Sequence, residues 1–375
     1  MFKTLLLISL ATIMVMADEY SFDMDNIEPK SYEYGGYLRA DNKTQRLREQ
    51  EDEYQNQLRV EGLLDFSYLY DIFTFKANGV GTYEYIHNNT AKTESHFNEL
   101  YVDAKLSVNH SFLAGKKSLM WGKGYFFNPV AFLDRKKDPT DPTVAREGFI
   151  LTKYGYNKSF SSSLKNLTLD LVYLKADENI NNDYSLLNTN EKASDNFAAK
   201  LYLLWYDTDI DFIYSYSDKA SEKIGVDFSK NIDINFEVHG EYAKVLNDGY
   251  SYLLGVRYLT DFELTIISEY LYQSEGLTKA EIETADYIAP FIAKDYAITS
   301  FTQKEPFNLL YFSIYYKNMT NLQDCSQQNK IGANYAFKNN TEVDLSYNIN
   351  SGGSLSEFGK KQAEDFIWLR VTLNY

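Results

Sequence analysis

Long hydrophobic runs are scarce in this chain. Beyond residue 16, every apolar stretch is broken within a few residues by Asp, Glu, Lys, Asn or Gly. None reaches the ~20 residues that an α-helix needs to cross a bilayer, which argues against a helical membrane protein. Cysteine is as scarce: Cys325 stands alone, so no disulfide can close within the chain. No CxxCH marks a haem and no CxxC pair marks a zinc site, so no metal and no cofactor is expected. The four His, at 87, 96, 110 and 239, are scattered, and His87 and His96 flank the segment 88–95 as solvated loop residues. Basic clusters are missing from a chain of net charge -16, which argues against a nucleic-acid partner. No GxSxG and no paired Ser and His pattern supports a nucleophile, so the chain does not read as an enzyme.

What is abundant is aromatic: 33 Tyr and 24 Phe in a chain that is hydrophilic on average. The first residues explain part of the setting. Lys3, an apolar segment over 4–16 and Ala17 before Asp18-Glu19 have the layout of a cleavable signal peptide over 1–17, which leaves 18–375 as one exported domain. Export, aromatics and period-two alternation together predict an all-β, transmembrane, antiparallel up-and-down β-barrel in a bacterial outer membrane, with lipid outside and water within.

The last ten residues, FIWLRVTLNY, show the alternation plainly. One face reads Ile367, Leu369, Val371, Leu373 and Tyr375; the other reads Phe366, Trp368, Arg370, Thr372 and Asn374. Runs over 232–239 and 343–349 alternate without a fault. In a soluble sandwich their inward acids would be buried at a cost of several kcal/mol, whereas in a barrel they face water. Such segments fall near 32–42, 54–70, 72–86, 97–108, 111–121, 148–157, 166–176, 195–206, 209–217, 222–229, 232–243, 249–259, 262–273, 294–303, 306–317, 328–337, 341–350 and 365–375. That is about 18 strands; 16 is the alternative, because Pro290 interrupts the ladder near 287–293. Short and long connections mostly alternate, with tight turns at 230–231 and 303–305 among others, and 157–165 is an awkwardly long segment at the short-turn end. Residues 278–285 mix charges in a way that suits a short helix in an external loop. Charged residues set opposite apolar neighbours in their strands line the expected lumen: Arg59, Glu61, Asp65, Asp103, Lys105, Asp170, Asp233, Glu237, Asp344 and Arg370.

The densest special chemistry is MWGKGYFFNPVAFLDRKKDPTDPTVARE, residues 120–147, which holds three of the six Pro and two Gly. Pro and Gly together specify a fixed, non-repetitive path. Gly115, Trp121, Gly122, Asn128 and Pro129 resemble a pattern in outer-membrane barrels related to alginate-export and substrate-specific porins, where Trp-Gly ends a strand and Asn-Pro opens the next loop. The turn at 303–307 is similar as well. Tyr375 with its alternating partners resembles the terminal signature that the barrel-insertion machinery reads.

The resemblance implies a channel for small hydrophilic solutes. By the analogy of trimeric porins, it also implies a loop after the fifth strand that folds into the lumen. Lys123, Asp134, Arg135, Lys136, Lys137, Asp138, Asp141, Arg146 and Glu147 would then form the constriction. Their charges nearly cancel, five basic against four acidic, and the acidity of the wall tips the expectation toward cations. The rival reading is a non-conducting barrel that serves as scaffold or sleeve for an envelope partner, such as an electron-transfer protein or a surface polysaccharide. Oligomeric state and solute stay open at this point.

Overall fold

The computed structural model describes residues 30–48, 54–86, 91–184, 193–285 and 291–375. The expected signal peptide, His87 and Pro290 lie outside the described residues. Eighteen strands form one sheet: β1 (Tyr32–Leu47), β2 (Tyr54–Tyr70), β3 (Phe73–Ile86), β4 (Lys92–Lys105), β5 (His110–Lys117), β6 (Phe149–Ser159), β7 (Leu164–Asp177), β8 (Ala193–Trp205), β9 (Thr208–Ser217), β10 (Lys223–Asp233), β11 (Phe236–Val245), β12 (Tyr250–Leu259), β13 (Leu264–Gln273), β14 (Asp295–Lys304), β15 (Phe312–Asn321), β16 (Gln327–Ala336), β17 (Thr341–Ser351) and β18 (Ala363–Asn374). The expected helix is present as α1 (Lys279–Thr284), opened by Thr278, whose N–H donates to Glu281 Oε2 at 2.8 Å.

Each strand pairs antiparallel with its neighbours in sequence, and β1 pairs with β18 from Tyr37↔Asn374 to Leu47↔Ala363. The sheet therefore closes on itself and leaves no free edge. Tyr375 finishes the seam. Its N–H donates to Gly36 O at 3.1 Å and its hydroxyl to Leu63 O at 3.1 Å, while its carbonyl accepts from Gly36 N–H.

Alternation sorts the side chains. In β18, Ile367, Leu369 and Val371 are exposed on the outer face, and Arg370 turns inward to Asp41 at 2.7 Å. Outward aromatics meet across strands, as the ring pairs Tyr173–Phe197 at 4.9 Å and Tyr252–Tyr272 at 5.2 Å show. Pairs of this kind support the sheet in the manner of an aromatic girdle.

Several expected boundaries move. The run 232–239 is crossed by a hairpin: β10 ends at Asp233 and β11 starts at Phe236, so the turn is at 234–235 and not 230–231. A two-residue turn alone would shift the alternation by one, but the bulge between Asn231 and Asp233 restores it, so that Asp227 faces Glu241 and Asn231 faces Glu237 and alternation does not reveal the reversal. Likewise 303–305 is not a tight turn. Pro306 cannot donate to the ladder, φ is positive at Glu305, Phe307, Asn308 and Tyr311, and the connection runs over 305–311. The awkward segment at 157–165 shrinks to 160–163, because β6 and β7 both reach further than expected. The sixteen-strand alternative is excluded.

The apolar core lies inside the barrel. One cluster joins Trp121, Val130, Phe132 and Leu133 to Leu151, Leu174 and Ile213; a second joins Phe126 and Phe127 to Leu253, Tyr296, Ile298 and Phe358. Both are built by the connection 118–148 packing against the wall, joined in the second cluster by Ile282 of α1 and by Phe358 of the connection 352–362. Full burial of each large apolar side chain is worth roughly 1.5–3 kcal/mol.

Replacing Tyr375 with Ala removes the hydroxyl bond that crosses the seam. It should lower barrel stability by about 1 kcal/mol, read as an earlier urea midpoint with the folded electrophoretic mobility retained.

Candidate pore constriction

The connection 118–148 leaves β5 and crosses the lumen to the opposite wall. Its base is tied by Asp134, whose carboxylate accepts from the N–H groups of Leu119 at 2.8 Å and Trp121 at 3.0 Å and from the Ser118 hydroxyl at 3.2 Å. Two wall glutamates hold the next segment. Glu241 of β11 accepts from the N–H groups of Lys123 and Gly124, each at 2.7 Å, and of Val130 at 3.2 Å. Glu269 of β13 accepts from Tyr125 N–H and, at 3.1 Å, from Phe126 N–H, with His239 Nε2 at 3.0 Å. Charge-assisted bonds of this kind are the strong class, and five of them meet two carboxylates that are 3% and 2% exposed.

Two glycines make the approach possible. Gly122 has φ +101°, and a Cβ there would stand 2.7 Å from Glu241 Oε1; at Gly124 a Cβ would stand 2.2 Å from Phe127 O. Between them, Lys123 reaches Asp211 at 3.0 Å and Asp227 at 3.9 Å. The Tyr125 hydroxyl donates to Glu237 at 3.0 Å.

The second half of the loop is held less densely. Asn128 Oδ1 accepts from Lys137 N–H at 3.0 Å, and the Lys137 ammonium donates to Gly124 O. Burial pushes that ammonium below its ordinary value. Arg135 forms ion pairs with Glu147 at 3.3 Å and with Asp183, and Arg146 donates to Arg135 O at 2.8 Å. Lys136 and Asp138 are exposed. At the tip, Lys317 of β15 donates to Pro139 O at 2.9 Å and Thr140 O at 2.6 Å, and Asp141 forms an ion pair with Arg370 of β18 at 2.9 Å.

Beyond the tip lies the open side. A cavity of about 560 Å³ is bounded by Asp138, Thr140, Asp141 and Val144 of the loop and by Arg39, Asp41, Lys43, Gln57, Arg59, Asn348, Phe366, Trp368 and Arg370 of the wall, among others. Asp41 and Asp141 are committed to Arg370, and the neighbouring Glu61 to Arg39 at 2.5 Å and Arg59 at 2.6 Å, whereas Asp138 forms no ion pair among the described residues. Its lysines are likewise uncommitted. Lys43 lies over the Trp368 ring at 4.8 Å and Lys361 over Phe358 at 4.7 Å; Lys330, outside the lining, lies over the Trp368 ring at 4.7 Å, and none of the three forms an ion pair among the described residues.

The expected lumen residues spread along the wall. Arg59 and Arg370 border the cavity, and Glu61 lies behind it, paired with Arg59 at 2.6 Å. Asp344 accepts from the Tyr315 hydroxyl at 2.9 Å, Asp65 pairs with Lys76 at 2.6 Å, Asp170 sits 3.5 Å from Lys153, and Glu237 holds Tyr125. Asp103 is half-buried opposite Leu113, and Lys105 is exposed at the end of β4. Asp233 is the exception. It stands at the 234–235 turn and accepts from Ile234 N–H at 2.7 Å, because the strand on which its inward placement rested ends there. Glu241 and Glu269 were missed, although each alternates with apolar neighbours as inward residues do. Lys43, Lys330 and Lys361 carry no distinguishing signal, since lysine on an alternating strand, as for Lys43 and Lys330, or in a polar connection, as for Lys361, reads as an ordinary solvated charge.

A closed antiparallel barrel of eighteen strands, narrowed by an inward connection after its fifth strand, defines a porin-type outer-membrane fold. Crystal structures of the Occ and Opd group of outer-membrane porins share it. Pseudomonas aeruginosa OpdQ aligns at TM-score 0.59 and 12% identity, covering 92% of this chain and 98% of that chain. Acinetobacter baumannii OccAB2 aligns at 0.59 and 10%, covering 95% and 99%, and P. aeruginosa OprD at 0.55 and 8%, covering 95% and 99%. At such identities the likeness is one of fold. No protein-family model and no curated protein matches the chain.

Two outcomes test the anchoring. Glu241→Ala leaves three buried N–H groups without an acceptor, at a cost of at least about 3 kcal/mol. The loop should become sensitive to limited proteolysis between residues 118 and 148 while the barrel stays folded. For Asp141, burial alone would raise the carboxyl, but Arg370 overrides it and holds the group below the usual carboxylate range. A folded value below the unfolded one stabilises the docked tip above the ordinary carboxylate range, and that stabilisation is lost as pH falls through the depressed value. A fluorophore on the tip should therefore report release only in strong acid, and Asp141→Asn should report it at neutral pH.

Proposed function

We propose that the chain is a passive outer-membrane channel for small hydrophilic solutes, constricted by the loop 118–148. The observation that carries this reading is the asymmetry of the lumen. One side is filled by the anchored loop and its apolar clusters, and the other keeps a polar cavity lined by charged and amide side chains. A scaffold without conductance has no need for such a passage. The filled half suits the substrate-specific porins in the resemblance better than a conduit for a polymer such as alginate.

Charge points the opposite way from the wall acidity of the sequence. Carboxylates at the passage other than Asp138 are spent on arginines, whereas Lys43, Lys330 and Lys361 form no ion pair among the described residues. In a confined lumen, that excess favours anions. Export through the segment 1–17 and insertion through the terminal strand that ends in Tyr375 complete the reading.

Planar-bilayer recording tests it. The refolded chain 18–375 should give stable steps with a reversal potential that marks anion preference in a salt gradient. A variant lacking residues 138–143 should give larger steps, and Lys43→Gln with Lys330→Gln should reduce the preference. A folded barrel that conducts in neither form would overturn the channel and favour the sleeve for an envelope partner.

A further inference from the structure

The end of the barrel that bears the short turns carries apolar side chains at the turn tips that nothing in the described residues covers. Val108 and Ile234 are 95% and 102% exposed, and Phe262 and Phe307 are 64% and 86% exposed. Turn tips that project into water are normally Gly, Pro, Asn, Asp or Ser, so large apolar groups at four separate tips call for an apolar surrounding. The 305–311 connection goes furthest, adding Leu310 and Tyr311 to the exposed set.

This exposure is built rather than loose. Gln303 Nε2 donates to Phe262 O at 2.6 Å, Lys304 N–H to Glu263 O at 3.3 Å, and Ala336 N–H to Tyr311 O at 3.0 Å, so three neighbouring turns form one braced platform. Positive φ at Phe307 and Tyr311 adds strain to present these side chains outward.

The patch adjoins the outer face of the barrel. On β16, the outward row Ile331 and Tyr335 runs on into Phe337, with the Tyr335 and Phe337 rings 4.6 Å apart. On β10, the outward row Ile224 and Phe228 is interrupted by Lys230 and by the bulge between Asn231 and Asp233, beyond which Ile232 and Ile234 are exposed at the tip. A face that meets lipid along the strands therefore lies next to exposed apolar groups at the tips of the turns.

We propose that this rim is a phospholipid docking surface, seated in the headgroup and acyl boundary of the leaflet on the short-turn side, where it fixes the depth and tilt of the barrel. The proposal rests on the membrane reading above. It adds a second lipid contact, at the mouth, to the one along the strands.

Spin labels test it in vesicles of phosphatidylcholine and phosphatidylglycerol. In a Cys325→Ser background, nitroxides are placed at Val108→Cys, Ile234→Cys and Phe307→Cys. Leu254→Cys on the outer face of β12 serves as lipid reference, and Ser221→Cys in the loop 218–222 as water reference. The ratio of oxygen to nickel-chelate accessibility should be several-fold higher at the three rim sites than at Ser221→Cys and should approach that at Leu254→Cys. Rim values equal to the water reference, with Leu254→Cys still in lipid, would overturn the rim alone. Leu254→Cys at the water value would overturn the membrane reading itself. Spin–spin broadening between rim labels would assign the surface to a second copy of the chain instead.

Discussion

A backbone segment that is packed inside a barrel, away from water, must find protein partners for its N–H groups, and here two wall carboxylates supply them. Glu241 and Glu269 bind five amides of the segment from Lys123 to Val130. That constraint brings Trp121, Phe126, Phe127, Val130 and Leu133 against the inner wall, where they complete a core that strands alone would leave hollow. Acids on the wall therefore act partly as fasteners, and their number is a poor guide to the charge a passing solute meets.

The same division of labour shapes the electrostatics. Arginines near the passage are engaged with Glu61, Asp41 and Asp141, so their charges largely cancel in place. Lysines rest on aromatic rings, which shelter their stems and hold their heads without neutralising them. A net acidic protein can in this way offer a locally basic passage, because pairing rather than composition sets the local field.

Much of the barrel was legible in the sequence. Eighteen alternating segments, the closing strand and the short helix near 278–285 all correspond to observed elements. The failures have physical causes. Alternation passes unbroken through the 234–235 hairpin because the bulge between Asn231 and Asp233 offsets the parity change of a two-residue turn, so Asp233 reads as an inward residue of a strand that ends there. At 303–311, Pro306 was read into a strand, although its missing N–H begins a longer turn. The loop could be singled out by its Pro and Gly, but its anchors could not, since Glu241 and Glu269 lie more than a hundred residues from the amides they bind.

By itself, the sequence determined the class of fold, because period-two patterning and the lack of long apolar runs admit few other solutions for so aromatic a chain. It also singled out the connection after the fifth strand, since Gly122, Gly124 and its prolines act on their own local geometry, although the ladder ends at Lys117, ahead of all of them. Only the tertiary structure decided which carboxylates hold the loop, which half of the lumen stays open and which cations stay uncompensated. Those are properties of pairing across the barrel, and the pairs form only when the closed sheet brings distant strands to face one another through the lumen.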